Sequence, residues 1–142
     1  MRVEIAAHHK VGTWELVKAS SMDPGRRTIG STWVFDIKRN KDGSIKRYKA
    51  RLCAQGFSQI EGVDYVRTYY NTVRLDTLRT LFAVAAHLGL GLTSVDIVTA
   101  YLDGVLEEVL YMRQPDGFNE TGPNGEAMVC NLKRGICGLK QS

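Results

Sequence analysis

The residue with the most evident chemical use in this sequence is an aspartate on a β-type segment. Asp96 belongs to the segment from Leu92 to Ile97, and Ala100, Tyr101 and Gly104 follow it closely. A carboxylate at the end of a buried strand can hold Mg²⁺ together with water and phosphate oxygens. Two such ions align the attacking and leaving oxygens in phosphoryl transfer. A single aspartate is also a common turn former or helix cap, so this position alone leaves both uses open.

A second group of chemically useful residues lies on a predicted hairpin. The segment 31–38 places Trp33, Phe35 and Ile37 on one face at period two, and Asp42-Gly43 supplies a tight turn. The segment 45–54 returns as the second strand and carries three cations on one face, which are Arg47, Lys49 and Arg51. Like charges side by side repel each other, and a phosphate partner would explain them. A solvated basic face is the alternative.

The distribution of charge supports a polyanionic partner. Residues 1–51 contain 12 Lys/Arg against 5 Asp/Glu, and residues 52–142 contain 7 against 10. The basic half suits nucleic acid and the acidic half could hold metal ions. Three cysteines, Cys53, Cys130 and Cys137, include no C-x-x-C pair and are interpreted as reduced thiols. The N-terminal residues do not resemble a secretory signal, and the longest apolar stretch is too short to span a bilayer.

The remaining pattern predicts an α+β domain with a mostly antiparallel sheet. A short helix is expected over residues 1–12, and a brief strand follows around Trp14. A second helix is predicted to bury a stripe of apolar residues at three- and four-residue steps: Leu78, Leu81, Phe82, Ala85 and Leu88. Strands are expected at 92–97, 108–113 and 128–132, and glycine-containing turns separate them.

A series of short segments forms an ordered pattern that is far more specific than any one of them. They are Trp14–Val17, Gly30–Phe35, Ile37–Ser44, Arg47–Leu52, Gln55–Gln59, Glu61–Tyr65, Arg79–Leu81, Val95–Asp96, Thr99–Leu102, Leu110–Phe118 and Gly138–Gln141. Together they resemble the reverse transcriptase domain of copia-type LTR retrotransposons, and the resemblance covers the chain from about Gly12 onward.

The resemblance implies one truncated reverse transcriptase domain over residues 1–142. Its α+β fold would be the fingers hairpin and part of the palm of a right-hand polymerase, ending before the catalytic Tyr-x-Asp-Asp hairpin and the thumb. About 13–88 would be fingers and connecting helix, and about 89–142 the start of the palm with part of the fingers. The implied site residues are Asp96 as catalytic metal ligand and Arg39, Lys49, Arg51, Tyr101 and Gly138 near nucleotide or template.

The implied function is Mg²⁺-dependent RNA-directed DNA polymerisation. Expected partners are an RNA template, a DNA primer, deoxynucleoside triphosphates and the rest of a Gag-Pol polyprotein. No membrane partner is expected, and the family implies an intracellular, cytoplasmic virus-like particle. Because the Tyr-x-Asp-Asp pair is missing, we expect the chain alone to be inactive. The alternatives are a nucleic-acid-binding module that uses the basic hairpin, or a catalytically dead relic.

Three departures from the family pattern favour a decaying or truncated copy of such an element. Tyr70-Asn71-Thr72-Val73 stands where Phe-Ala/Ser-Pro-Val is usual. Cys137 replaces a usual Tyr, and Gln55 replaces a usual Lys.

Overall fold

The computed structural model describes residues 1–66, 73–95 and 105–141. Within these described ranges, two α-helices and six strands form the regular part, with single 3₁₀ turns at Ala19–Ser21 and Gly56–Ser58. Their bounds are α1 Arg2–Val11, β1 Trp14–Lys18, β2 Thr28–Ile29, β3 Ser31–Arg39, β4 Ile45–Ala54, α2 Leu75–His87, β5 Val105–Met112 and β6 Met128–Arg134.

Four strands form one sheet in the order β1-β6-β5-β2. The β1–β6 and β5–β6 pairs are antiparallel, whereas the two residues of β2 pair in parallel with β5. The prediction of an α+β domain with a mostly antiparallel sheet is confirmed, but β2 was not predicted from the sequence. A two-residue strand has too little pattern to be found, because its pairing depends on a partner more than 80 residues away.

The basic segment forms the second sheet, which is the two-stranded β3–β4 hairpin. Its register pairs Ser31 with Ala54 at the base and Lys38 with Arg47 towards the tip, where one irregularity follows Lys38. Gly43 has a φ of 85°, which is the left-handed conformation that the predicted Asp-Gly turn requires. Both hairpin strands lie where the alternating pattern predicts them.

The hydrophobic core lies where the base of this hairpin meets the four-stranded sheet. Strand β4 contributes Leu52 and Ala54, and the turn after β6 contributes Ile136 and Leu139. The other core residues are Ile5, Ile29, Leu110, Met112, Cys130 and Leu132. The hairpin is therefore anchored at its base, while its outer half extends into solvent.

The structure contradicts two predictions, one for α2 and one for the residues that follow it. Of the predicted buried stripe, only Ala85 is buried; Leu81 is 58% exposed and Phe82 is 47% exposed. Residues 92–95, predicted as the start of a strand, form no strand. Helix α2 has the predicted amphipathic period, but no other helix or strand in the described part of the chain packs extensively against it. Local pattern specifies an apolar face and not the surface that covers it.

Candidate nucleic-acid interface

One face of the β3–β4 hairpin concentrates positive charge. Paired residues of antiparallel strands project to the same side, so Arg47, Lys49 and Arg51 share a face with their partners Lys38, Asp36 and Val34. This surface, called the cationic face, therefore has four cations and one carboxylate. Lys38 and Arg47 are exposed, whereas Lys49 and Arg51 are half-buried nearer the base. The predicted clustering of the three β4 cations is confirmed.

Asp36 and Lys38 also lie on this face and are absent from the sequence-based prediction, although the alternation of residues along β3 indicates their position. Lys38 Nζ lies 2.6 Å from an Asp36 carboxylate oxygen. The hydrogen bond from Lys38, followed by the charges of Lys38 and Arg51, lowers the pKa of Asp36 below its ordinary value. Within the described residues, no carboxylate lies within ion-pair distance of Arg47, Lys49 or Arg51. These three cations are available to an external anion.

Arg39 lies at the other end of the hairpin from the core. Its guanidinium donates a hydrogen bond of 2.9 Å to the carbonyl of Gly43, across the turn. A guanidinium has five N–H donors, so this bond leaves donors for a further partner. The structure places Arg39 at the hairpin tip, and Lys49 and Arg51 further along the same hairpin.

Gly138 lies at the base of the hairpin, where two backbone segments are in contact. Its φ is 92°, and a Cβ at this position would come 2.3 Å from the Ala54 carbonyl oxygen. The N–H of Ala54 donates a 2.7 Å hydrogen bond to the carbonyl of Cys137. Glycine is thus required here by the protein's own packing, independently of the predicted approach to nucleotide.

Two buried residues that are absent from the sequence-based prediction, Gln59 and Asp64, hold the segment after Gly138. The Gln59 carboxamide accepts from the backbone N–H of Lys140 at 2.8 Å and donates to Gln141 Oε1 at 2.9 Å. Asp64, which is 1% exposed, accepts from the N–H of Ile60, and its own carbonyl accepts from Gln141 Nε2. The 137–141 segment is therefore fixed to the 54–64 segment by backbone and side-chain bonds.

The remaining predicted site residues, Asp96 and Tyr101, lie outside the described residues. Within residues 1–66, 73–95 and 105–141, no three His, Cys, Asp or Glu side chains are grouped as metal ligands. The described part of the chain therefore does not itself provide a complete Mg²⁺ site.

A cavity of about 240 Å³ lies away from these residues, between α1, β1 and the 114–120 segment. Trp14 and Phe118 form part of its wall, and none of the predicted site residues lines it. This cavity is thus separate from the cationic face.

Comparison with known proteins decides the family. The family model described as reverse transcriptase (RNA-dependent DNA polymerase) matches residues 11–142. The chain belongs to this reverse transcriptase family. The resemblance inferred from the ordered segments is confirmed.

Relatives place this reverse transcriptase sequence among retrotransposon polyproteins. It is 39% identical over its whole length to the Pol polyprotein from transposon TNT 1-94 of Nicotiana tabacum, covering 10% of that protein. It is 38% identical to the transposon RE1 polyprotein of Arabidopsis thaliana, over all of this chain and 9% of that protein. It is 34% identical over 94% of its length to a truncated transposon Ty1-A Gag-Pol polyprotein of Saccharomyces cerevisiae, again covering 10%.

The reverse transcriptase chain thus spans about a tenth of these polyproteins. No solved structure matches it. Among the described residues, neither helix has the length and apolar character needed to cross a membrane.

Proposed function

We propose that this chain is the fingers and the first part of the palm of an RNA-directed DNA polymerase, and that the cationic face binds the nucleic-acid backbone. The observation that carries the proposal is the concentration of Lys38, Arg47, Lys49 and Arg51 on one side of a hairpin. Phosphates neutralise such clusters with release of counterions, which is the main source of sequence-independent affinity. Membership of a reverse transcriptase family makes a template–primer hybrid the fitting polyanion.

The chain's other predicted site residues extend this proposal. Arg39 at the hairpin tip would contact phosphates with the guanidinium donors that Gly43 does not use. Gly138 would allow the backbone of its turn to approach nucleotide or template. Asp96 would supply one Mg²⁺ ligand, and Tyr101 would lie under the sugar. Mg²⁺, when bound, supplies the charge that aligns and stabilises phosphoryl transfer.

The test is the salt dependence of binding to an RNA–DNA hybrid. Replacing Arg47, Lys49 and Arg51 with Ala should weaken binding and reduce the slope of log K against log salt by about 2–3, near 0.9 per lost phosphate contact. A matched control replaces three exposed cations elsewhere: Arg2, Lys10 and Arg79. Both triple variants lower the formal net charge from +4 to +1. Equal slopes in the two variants would show that net charge, and not this face, drives binding.

The chain alone should bind but not polymerise. Its sequence contains Asp96 and no Tyr-x-Asp-Asp pair, and one carboxylate holds two metal ions poorly. We expect no primer extension with Mg²⁺ under conditions where the hybrid is fully bound. Extension that disappears in Asp96→Asn would instead assign catalysis to this chain.

A further inference from the structure

The base of the hairpin brings two cysteines together from distant parts of the sequence. Cys53 lies on β4, and Cys137 lies in the turn after β6. Their neighbourhood is fixed by the Ala54–Cys137 backbone hydrogen bond of 2.7 Å and by the contact between Gly138 and the Ala54 carbonyl. Because Ala54 follows Cys53 directly, this bond holds the carbonyl of Cys137 against the peptide group that Cys53 and Ala54 share. A disulfide bridges Cα atoms roughly 4.4–6.8 Å apart.

The thiols of Cys53 and Cys137 are also close enough to interact. Burial, followed by a hydrogen bond with Cys137, raises the pKa of the Cys53 thiol to about 12. Both cysteines carry free thiols and are half-buried, so a small reagent can reach them. Cys130 is also a free thiol, but it is fully buried on β6 opposite Leu16 and Met112.

We propose that Cys53 and Cys137 form a thiol-modification site at which a small-molecule disulfide oxidises the pair to an intramolecular disulfide. One cysteine thiolate attacks the reagent's S–S bond, forms a mixed disulfide and releases one thiol. The second cysteine attacks that mixed disulfide, forms the Cys53–Cys137 bond and releases the second thiol. The protein loses two electrons and two protons, and the reagent disulfide is reduced to two thiols.

The consequence of this link is mechanical. The disulfide would join the base of the cationic hairpin to the turn that carries Gly138, and would close a loop of more than 80 residues. Such a link stabilises the folded chain mainly by restricting the unfolded one. The oxidised chain should therefore resist urea better than the reduced chain, with a higher unfolding midpoint.

The experiment treats the whole chain with oxidised glutathione and maps the products without reduction. Free thiols are first blocked by alkylation, and the digest is analysed by mass spectrometry. We expect a peptide pair joined through Cys53 and Cys137, with Cys130 alkylated and no disulfide link between chains. The rate should rise with pH, by up to about tenfold per pH unit, because the thiolate is the nucleophile. Stable glutathione adducts alone, links to Cys130 or links between chains would overturn the proposal.

Cysteine variants and the urea-unfolded wild-type chain serve as controls for this experiment. Cys130→Ser should form the same disulfide, whereas Cys53→Ser and Cys137→Ser should each stop at a glutathione adduct. In concentrated urea the wild-type chain should lose its preference and form all three possible pairings. This comparison needs no variant to fold, and the same mixture of pairings with and without urea would refute the site.

Discussion

Single residues at the base of the hairpin are held by geometry that permits little substitution. Gly138 has a positive φ, and the carbonyl oxygen of Ala54 lies 2.3 Å from the position that a Cβ would occupy. Gly138→Ala should therefore lower the free energy of unfolding by about 2–4 kcal/mol, through backbone strain and overpacking. Urea unfolding measures this loss.

Gly12→Ala is the matched control for this substitution. Gly12 also has a positive φ, of 65°, but nothing lies within 4 Å of the position that a Cβ would occupy there. Only the backbone cost should appear at this residue, about 1 kcal/mol. Equal losses at the two positions would mean that the contact with Ala54 is not a constraint.

His8 gives a pH dependence at the residue scale. It is 3% exposed, its Nδ1 lies 3.0 Å from Thr13 Oγ1, and its ring packs 5.1 Å from the ring of Trp14. Burial, with a smaller effect from the charge of His9, lowers the pKa of His8 from 6.5 to about 4. The folded chain thus disfavours the proton that the unfolded chain accepts.

The sign of the pH effect follows from this lowered pKa. The free energy of unfolding should be constant above pH 6.5 and should fall between pH 6.5 and 4, by about 3 kcal/mol at most. Urea midpoints across this range measure the effect. His8→Phe should keep the packing and flatten the slope, whereas His9→Gln should leave most of it. A wild-type midpoint independent of pH in this window would contradict the burial of His8.

At the scale of the elements, we expect Asp36 to lower the affinity of the cationic face for nucleic acid. Its carboxylate occupies the middle of that face and pairs with Lys38. Asp36→Asn removes the only negative charge there and releases Lys38, so RNA–DNA hybrid binding should tighten by about two- to fivefold at low salt. Fluorescence anisotropy measures the affinity. Weaker binding would show that Asp36 orients Lys38 for contact with the nucleic acid, and that its negative charge does not reduce the affinity.

Helix α2 and strand β5 provide a direct test of which element forms the core. Leu81 of α2 is 58% exposed, whereas Leu110 of β5 is 1% exposed. The same Leu→Ala change should cost below about 0.5 kcal/mol at 81 and about 2–5 kcal/mol at 110. Urea unfolding of the two variants decides it. A large loss at Leu81 would mean that α2 packs into the fold.

The sequence predicts these elements unequally, for physical reasons. The hairpin was predictable because period-two alternation and the Asp-Gly turn act within about 24 residues of chain. The parallel β2–β5 pair and the contact of Gly138 with Ala54 join residues more than 80 apart, and no local pattern encodes them. For the candidate site, β4 alone revealed three cations. Asp36 and Lys38 required the register between β3 and β4.

At the scale of the whole molecule, α2 and the hairpin both expose apolar side chains within the described part of the chain. On α2, the exposed apolar residues include Leu81, Phe82 and Val84. On the hairpin, opposite the cationic face, Phe35 is 66% exposed and Tyr48 is 73% exposed. Contiguous apolar surface of this kind favours association in water. We therefore expect the isolated chain to self-associate as its concentration rises.

Paired substitutions that add no net charge identify which surface is responsible. Leu81→Glu with Phe82→Lys should shift the chain to a monomer in sedimentation velocity. The reason is that residues 81–84 of α2 are four consecutive exposed apolar residues, a longer stretch than either hairpin strand has. Phe35→Lys with Tyr48→Glu tests the hairpin surface in the same way and should have the smaller effect. The reverse order would assign association to the hairpin, and a monomeric wild type at all concentrations would contradict association through either face. Since the core residues are untouched, both double variants should keep the wild-type urea midpoint.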